Sequence, residues 1–303
     1  MEWSRRARGV MNYRTSKRVS YFSFILPAFI IYISVLIVPV IFSFGLGFFS
    51  WKGYGPMDFV GLGNYTRMFN DPVFHIGFRN NLMIVLISVF GQIPLGMFLA
   101  YILHRGMVRQ VNLFEALIFL PITISSVIIA QLWNQIFSPV GIFTGLVRTL
   151  SGNSNYIMTI VENKNWAIVP IMIVLLWQHT SLYMVIFLAN MQRIPDSVIE
   201  SAQLEGAGEG TIFLKIIAPM LGYVIFINCV LAISGSFKSF DLIYSMTRGG
   251  PAHYTEVIAV YMYNSTFVHQ NYGYGSALAI IIVILSVISI MGARAVSKAL
   301  RVE

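Results

Sequence analysis

The sequence predicts an all-α, polytopic membrane protein with six transmembrane helices and one short cytoplasmic helix. Of its 303 residues, 57% are hydrophobic and only 11% are charged, against roughly 25% charged residues in soluble domains. Apolar stretches of about 18 residues or more recur along the chain, and each is long enough to cross a hydrocarbon core about 30 Å thick. Basic residues collect on one side of these stretches. The bilayer is therefore the solvent of this chain.

Six predicted spans follow one another along the chain, identified by their length and lack of charge. They cover residues 22–49, 82–103, 113–137, 166–189, 219–243 and 277–296. An even number of spans returns the chain to the side on which it starts.

Basic residues divide unequally between the two sides of the predicted spans. The side of the N-terminal stretch, residues 1–20, holds thirteen of the twenty Lys and Arg residues. Because Lys and Arg are enriched in cytoplasmic segments, both termini are predicted to be cytoplasmic. The formal charge of +8 therefore reflects topology, and the expected contact is membrane lipid rather than nucleic acid. Residues 1–20 are interpreted as a basic cytoplasmic N-terminus and residues 21–303 as a single transmembrane domain.

The loop between the fourth and fifth predicted spans, residues 194–219, contains a short predicted helix. Ser197 followed three residues later by Glu200 has the pattern of a capping box, so the helix is expected to begin there. Gly206 is expected to end it, because glycine readily adopts the left-handed conformation that terminates helices. Ala202 and Gly206, four residues apart, would let another protein approach the backbone closely. The alternative is an ordinary amphipathic turn at the membrane surface.

The whole segment resembles the EAA signature of the permease subunits of ATP-binding-cassette (ABC) importers. The matching residues are Glu200, Ala202, Glu205, Gly206, Ala207, Phe213, Ile216 and Pro219, with Ser201 where alanine is usual and Glu205 where aspartate is usual. In that family this loop forms the coupling helix, which docks in a groove of the ATPase subunit. The resemblance implies this role for Glu200, Ser201, Ala202, Glu205, Gly206, Ala207 and Gly208.

The resemblance covers nearly the whole chain, which is similar to the MalF/UgpA-like branch of carbohydrate permeases. Residues 59–65 (FVGLGNY), residues 119–121 (FLP) and the TRGGP element at 247–251 match that branch. The resemblance implies half of a translocation path for a sugar or oligosaccharide in the bacterial inner membrane. The implied partners are a second, MalG-like permease, two ATP-binding subunits that hold ATP and magnesium, and an extracytoplasmic solute-binding protein.

Four consecutive polar residues, 178–181, lie inside the fourth predicted span and must face protein or a cavity at membrane depth. They line either a substrate path or a hydrogen-bonded helix contact. The resemblance places the following residues where maltose-type permeases contact sugar or beside such positions: Gln178, His179, Leu182, Tyr183, Ala232 and Ser236. Five tyrosines could line the path or form an interfacial belt, namely Tyr244, Tyr261, Tyr263, Tyr272 and Tyr274.

Two other classes of function remain as alternatives. An ion-coupled secondary transporter of small polar solutes would use His179 as a proton relay, and an intramembrane enzyme would need a convergent set of acids, histidines or a nucleophile. The sequence has no phosphate-binding loop motif and no HExxH zinc motif. Its single cysteine, Cys229, excludes an intramolecular disulfide. We therefore expect neither enzymatic activity nor a bound metal or cofactor in this chain.

Overall fold

The computed structural model describes residues 23–153 and 166–299. Within these ranges, five helical segments are long and apolar enough to span a membrane, and two further helices, bent by 99° relative to each other, make a sixth when the pair is counted as one span. The predicted all-α polytopic fold is confirmed. The predicted N-terminal segment, residues 1–20, lies outside the described residues.

The described elements are numbered here in chain order. The helices are α1 (Ser23–Leu46), α2 (Gly63–Phe69), α3 (Pro72–His104), α4 (Val111–Thr123), α5 (Ser126–Ile136), α6 (Ile142–Ser151), α7 (Ile168–Met191), α8 (Asp196–Leu204), α9 (209–220), α10 (Gly222–Phe237), α11 (Asp241–Thr247), α12 (Ile258–Tyr263) and α13 (Tyr272–Ala299). Two short antiparallel strands, β1 (Phe49–Ser50) and β2 (Asp58–Phe59), form a hairpin after α1.

Helix α3 begins well before the predicted start of the second span at residue 82. The Asp71 side chain caps it by accepting a hydrogen bond of 2.9 Å from the Val73 N–H. The first turns of α3 are polar, and this obscured the apolar pattern in the sequence. Asn80 and Asn81 in this stretch are 4% and 0% exposed, because their amides hydrogen-bond to the loop that follows α11 and to α10. Protein contacts therefore satisfy the polar groups of this extended span.

The third predicted span, residues 113–137, is broken rather than continuous. Pro121 lies inside α4 and lacks the N–H that a helix interior requires. The helix ends at Thr123, Ile124 is extended with φ −87° and ψ 138°, and α5 starts at Ser126. The resulting 99° bend corrects the single span 113–137, because the chain has two helix axes where the sequence predicted one.

The buried core is divided among three clusters along the helices. One joins the C-terminal half of α3 to α7, α8 and α9, a second joins α3, α5, α7 and α11, and a third joins α2, α3, α10, α12 and α13. None of the apolar window of α1 is buried within this chain. The outer surface of α1 is therefore left for lipid or for another subunit.

Candidate functional site

Helix α8, the predicted coupling helix, lies against the ends of the membrane-spanning helices. Ile199 and Ala202, three residues apart, are 3% and 9% exposed and pack in a cluster with Leu103 and Met191. This corrects one expectation, because Ala202 faces the chain's own core and does not form part of the free surface. Its small side chain instead lets α8 lie close to α3 and α7.

The free surface of α8 is formed by the opposite side of the helix. The exposed residues of the helix and of the turn that ends it are Asp196, Ser197, Glu200, Ser201, Gln203, Leu204, Glu205 and Gly206. Leu204 is 89% exposed and follows a run of polar residues on this surface. An apolar side chain standing free beside carboxylates is suited to insertion into a groove on another protein. Leu204 was not predicted from the sequence, although an apolar residue inside the EAA segment is a visible signal.

The two ends of α8 differ in how well the sequence predicted them. Pro195 is the N-cap and no side-chain capping bond forms, so the predicted capping box of Ser197 and Glu200 is wrong. The reason is that proline fixes φ at −62° and starts the helix at Asp196, which places Ser197 inside the first turn. The predicted helix end is confirmed, since Gly206 has φ +84°.

Two hydrogen bonds close the turn at the end of α8. The Gly206 N–H donates to the Gln203 carbonyl at 3.0 Å, and the Ala207 N–H donates to the Ala202 carbonyl at 2.9 Å. This pair is a Schellman motif, which requires a left-handed residue at its centre. Gly208 is then the extended N-cap of α9.

A cavity of about 220 Å³ lies between α3, α5, α7, α10 and α11. The cavity lies beside the middle of α3. The core cluster that contains α8 separates the cavity from α8. Its polar lining residues are Ser88, Gln92, Ser126, His179, Tyr183, Ser236, Lys238, Ser239 and Asp241. Such a polar chamber inside a membrane-spanning bundle can hold a hydrated or hydroxyl-rich molecule.

Four of the six predicted path residues line this cavity, namely His179, Tyr183, Ala232 and Ser236. Gln178 does not line it but donates a hydrogen bond of 3.3 Å to the lining residue Ser126, and its Oε1 is buried without a partner among the described residues. Leu182 is 37% exposed on the outside of α7. The structure therefore brings most of the predicted set together and separates Leu182 from it.

Helix α3 contributes two cavity residues that the sequence analysis missed. Ser88 and Gln92 are four residues apart, so they share one face of the helix, and this spacing of polar residues in an apolar span was the available signal. Ser236 Oγ lies 3.2 Å from Ser88 Oγ, and Gln92 Nε2 donates to the Leu175 carbonyl at 2.8 Å. These bonds join α3, α7 and α10 around the cavity.

The loop that follows α11 contains the TRGGP element and is anchored by α3. Asn80 Nδ2 donates to the carbonyls of Tyr254 and Glu256 at 2.9 and 2.8 Å, and Asn81 Oδ1 accepts from the Ile258 N–H at 2.9 Å. Burial raises the pKa of Glu256, whose carboxylate lies 2.6 Å from His253 Nδ1. The element is therefore a fixed part of the fold at the end of the molecule opposite α8.

The five tyrosines proposed as path or belt residues do not line the cavity described above. The hydroxyls of Tyr261 and Tyr274 instead donate to the Asp71 carboxylate. Burial works against ionisation of Asp71, yet these hydrogen bonds and those from the start of α3 lower its pKa. Tyr244 and Tyr263 pack on each other and on Phe240, and Tyr272 packs on Trp51. These tyrosines hold the ends of the helices together.

Within residues 23–153 and 166–299, no group of three or more His, Cys, Asp or Glu side chains is placed to hold a metal ion.

Comparison with known proteins identifies the family of the chain. The family described as "Binding-protein-dependent transport system inner membrane component" matches residues 92–302. The probable ABC transporter permease protein YurN of Bacillus subtilis is 30% identical over 266 residues, which cover 87% of this chain and 90% of YurN. The lactose transport system permease protein LacF of Rhizobium radiobacter is 29% identical over 265 residues, covering 86% of this chain and 88% of LacF.

A solved structure has the same fold. The crystal structure of a bacterial ABC transporter involved in the import of the acidic polysaccharide alginate aligns with a TM-score of 0.80, at 21% identity, over 95% of this chain and 98% of that one. Together with the family match, the fold accounts for the set of membrane spans. The chain therefore belongs to the inner-membrane components of binding-protein-dependent transport systems, the ABC transporter permeases.

Proposed function

We propose that this permease forms half of the translocation path of an importer for a sugar or oligosaccharide. The observation that carries the proposal is the cavity beside the middle of α3, where hydroxyl and amide side chains stand next to the rings of Tyr183 and Phe240. Sugars present hydroxyl groups and an apolar ring face, so polar groups beside aromatic rings form a suitable lining. LacF, a permease similar to this chain, is named for lactose transport.

The size of the cavity supports a shared path. Its volume of about 220 Å³ is below the roughly 300–1,000 Å³ of a complete small-molecule site. A second, homologous permease would supply the remaining wall. Trp177 and Leu182, 44% and 37% exposed on the outside of α7, are candidates for this subunit contact.

The charges around the cavity favour a neutral glycan as substrate. Lys238 and Asp241 both line it, so one positive and one negative side chain offset each other. A strongly anionic sugar would require an excess of basic groups to offset its desolvation. We therefore expect an uncharged sugar, in contrast to the acidic polysaccharide of the transporter with the similar fold.

The second part of the proposal concerns energy coupling. The free surface of α8, with Leu204 among exposed polar residues, docks on a separate ATPase subunit, and two such subunits hold ATP and magnesium. The permease itself catalyses no reaction and needs no cofactor. An extracytoplasmic binding protein delivers the sugar on the opposite side. Ion coupling would need a carboxylate partner for His179. Asp241 also lines the cavity, but no hydrogen bond or ion pair joins these two side chains in the described structure.

The proposed orientation places α8 and both termini in the cytoplasm of a bacterium, with residues 21–303 forming one membrane domain. Arg105, Arg109, Arg193 and Lys215 lie on the α8 side of the membrane-spanning helices, in agreement with the enrichment of Lys and Arg in cytoplasmic loops. The β-hairpin and the TRGGP loop then face the binding protein.

Reconstitution tests the proposal directly. The permease is purified with its partner permease and ATPase subunits, placed in lipid nanodiscs, and supplied with the binding protein and a panel of neutral and acidic glycans. We expect ATP hydrolysis to rise only with the binding protein and one class of neutral glycan. Accumulation of a solute by the isolated chain under an ion gradient would contradict the proposal and favour a secondary transporter.

A further inference from the structure

A cluster of polar contacts joins the loop after α8 to the end of α3. Arg105, directly after α3, donates from Nη2 to Glu209 Oε1 at 2.8 Å and from Nε to Glu209 Oε2 at 3.1 Å. The Tyr101 hydroxyl also donates to the Glu209 carboxylate and lies 3.2 Å from the Glu209 carbonyl oxygen. A two-point contact between a guanidinium and a carboxylate fixes orientation as well as distance. We call Tyr101, Arg105 and Glu209 the clamp.

The surroundings hold Tyr101 in place, whereas the Arg105 and Glu209 side chains are 21% and 44% exposed. Tyr101 is 3% exposed, and its ring centroid lies 4.8 Å from that of Phe213 in α9. Hydrogen bonds from Arg105 and Tyr101 lower the pKa of Glu209 to about 2, so its carboxylate stays charged at neutral pH. The end of α3 and the residue directly after it therefore contact α9 at two points. An ion pair is formed at the first residue of α9, and aromatic rings pack one turn later.

The covalent connection between α8 and α9 is a weak transmitter of movement. Gly206 and Gly208 stand in this connection, and glycine adopts more backbone conformations than other residues, so the two hydrogen bonds of the turn after α8 are its main restraint. A displacement of α8 would be absorbed at these glycines unless α9 were held elsewhere. The clamp supplies that hold, because it fixes the first residue of α9 to α3.

Helix α3 continues from the clamp to the cavity. Ser88 and Gln92 lie on it at the level of the cavity, nine residues or more before Tyr101. Gly96 lies on α3 between the cavity residues and Tyr101. It packs so closely on α7 that an added Cβ would lie 2.9 Å from Tyr183 Cβ and 2.9 Å from the Met184 nitrogen. Movement of α3 therefore carries α7 with it, and with α7 the cavity residues His179 and Tyr183.

We propose that Tyr101 and Arg105 are positioning residues that hold Glu209 and transmit displacement of α8 to the cavity through α3. The proposal rests on the coupling role of α8 given above and adds a specific route to it. The apolar contacts of Ile199 and Ala202 set where α8 lies, but they are non-directional. The clamp gives the contact a direction, so that α3 follows α8 in both halves of the transport cycle.

The test measures cavity exposure in the complete importer as a function of nucleotide. On a Cys229→Ala background, Ser239→Cys places one thiol at the cavity, and its rate of reaction with a maleimide is compared without nucleotide and after trapping with ATP and orthovanadate. We expect Arg105→Gln and Glu209→Gln to reduce the trapping-induced change by about fivefold or more, the lower end of usual coupling between sites. The ATPase subunits should still co-purify in normal amount.

The charge swap Arg105→Glu with Glu209→Arg restores the ion pair and should recover at least half of the lost change. Arg109→Gln removes a charge from the same loop at an exposed position and should behave as the parent. A full trapping-induced change in both single variants, or no recovery in the charge swap, would overturn the proposal. Loss of the ATPase subunits in the single variants would also overturn it, because Glu209 would then act in docking. If the clamp fails while α8 variants still abolish coupling, the proposed function stands and only the route is wrong.

Discussion

Replacement of Gly206 by valine tests the proposed coupling role of α8 most directly. Gly206 has φ +84°, a conformation that costs a non-glycine residue about 1–2 kcal/mol, and the β-branch of valine restricts it further. The variant should weaken the two hydrogen bonds, of 3.0 and 2.9 Å, that close the turn after α8. The loop lies outside the membrane spans, so insertion into the bilayer should be unaffected.

The magnitude follows from the backbone alone. An added Cβ at position 206 would meet nothing within 4 Å in this chain, so no internal clash adds to the cost. A penalty of about 2 kcal/mol shifts the equilibrium between closed and opened turn roughly 30-fold, since 1.4 kcal/mol corresponds to a factor of ten. In the assembled importer the valine side chain would also project towards the ATPase subunit.

Three measurements follow the variant: membrane abundance, co-purification of the ATPase subunits, and binding-protein-dependent ATP hydrolysis with transport in proteoliposomes. We expect normal abundance, loss of transport, and ATP hydrolysis that no longer responds to substrate. Gly210→Val is the matched control. Gly210 also has open space at the Cβ position but has no positive φ, so its variant should transport normally.

Gly206→Asn separates backbone strain from docking space, because asparagine tolerates the left-handed conformation but is larger than alanine. If strain dominates, the asparagine variant should retain more transport than Gly206→Ala. If the space facing the ATPase dominates, the order should be reversed. Transport by Gly206→Val at the wild-type rate would refute the assignment of this loop as the coupling element.

Three further outcomes are expected. The isolated chain should show no ATPase activity above the background of a mock preparation, and it should co-purify with a nucleotide-binding subunit when its partners are co-expressed. On a Cys229→Ala background, Tyr54→Cys should react with an impermeant maleimide from outside, and Leu204→Cys should react only from the cytoplasm. These side chains are 69% and 89% exposed, on opposite sides of the membrane-spanning helices. The reverse labelling pattern would invert the proposed topology. Gln178→Ala or Tyr183→Ala should change sugar selectivity or apparent affinity with assembly intact, whereas loss of assembly without a change in selectivity would indicate helix packing.

The membrane fold was predictable because it depends on apolar length, which a sequence displays directly. The exceptions occur where tertiary contacts satisfy polar groups. The sequence alone suggests that Asn80 and Asn81 lie in a loop, yet hydrogen bonds to α10 and to the loop after α11, more than 150 residues later, bury them inside α3. The break between α4 and α5 was not predicted either, since Pro121 indicates a kink but does not determine its angle.

The candidate site was predicted unevenly for similar reasons. The end of α8 at Gly206 is a local property of glycine and was predictable. Its start was not, because either Pro195 or Ser197 could serve as the N-cap, and in the structure Pro195 does. The role of Glu209 could not be foreseen, because its partner Arg105 lies 104 positions away in the chain. Leu182 was placed on the path by resemblance alone, and the direction in which it points depends on the packing of α7.

The length of α3 connects this protein to the physical state of its membrane. At 33 residues, the helix is about 50 Å long, well beyond the roughly 30 Å of a hydrocarbon core. The polar first turns extend beyond the apolar residues 82–103, which at 1.5 Å per residue cover about 33 Å. A change in bilayer thickness therefore creates a mismatch that changes the tilt of the helix, at a cost of a fraction of a kcal/mol for each Å. Because the anchored loop, the cavity and the clamp all lie along this one helix, acyl-chain length should shift the balance between the outward-open and inward-open states of the transporter.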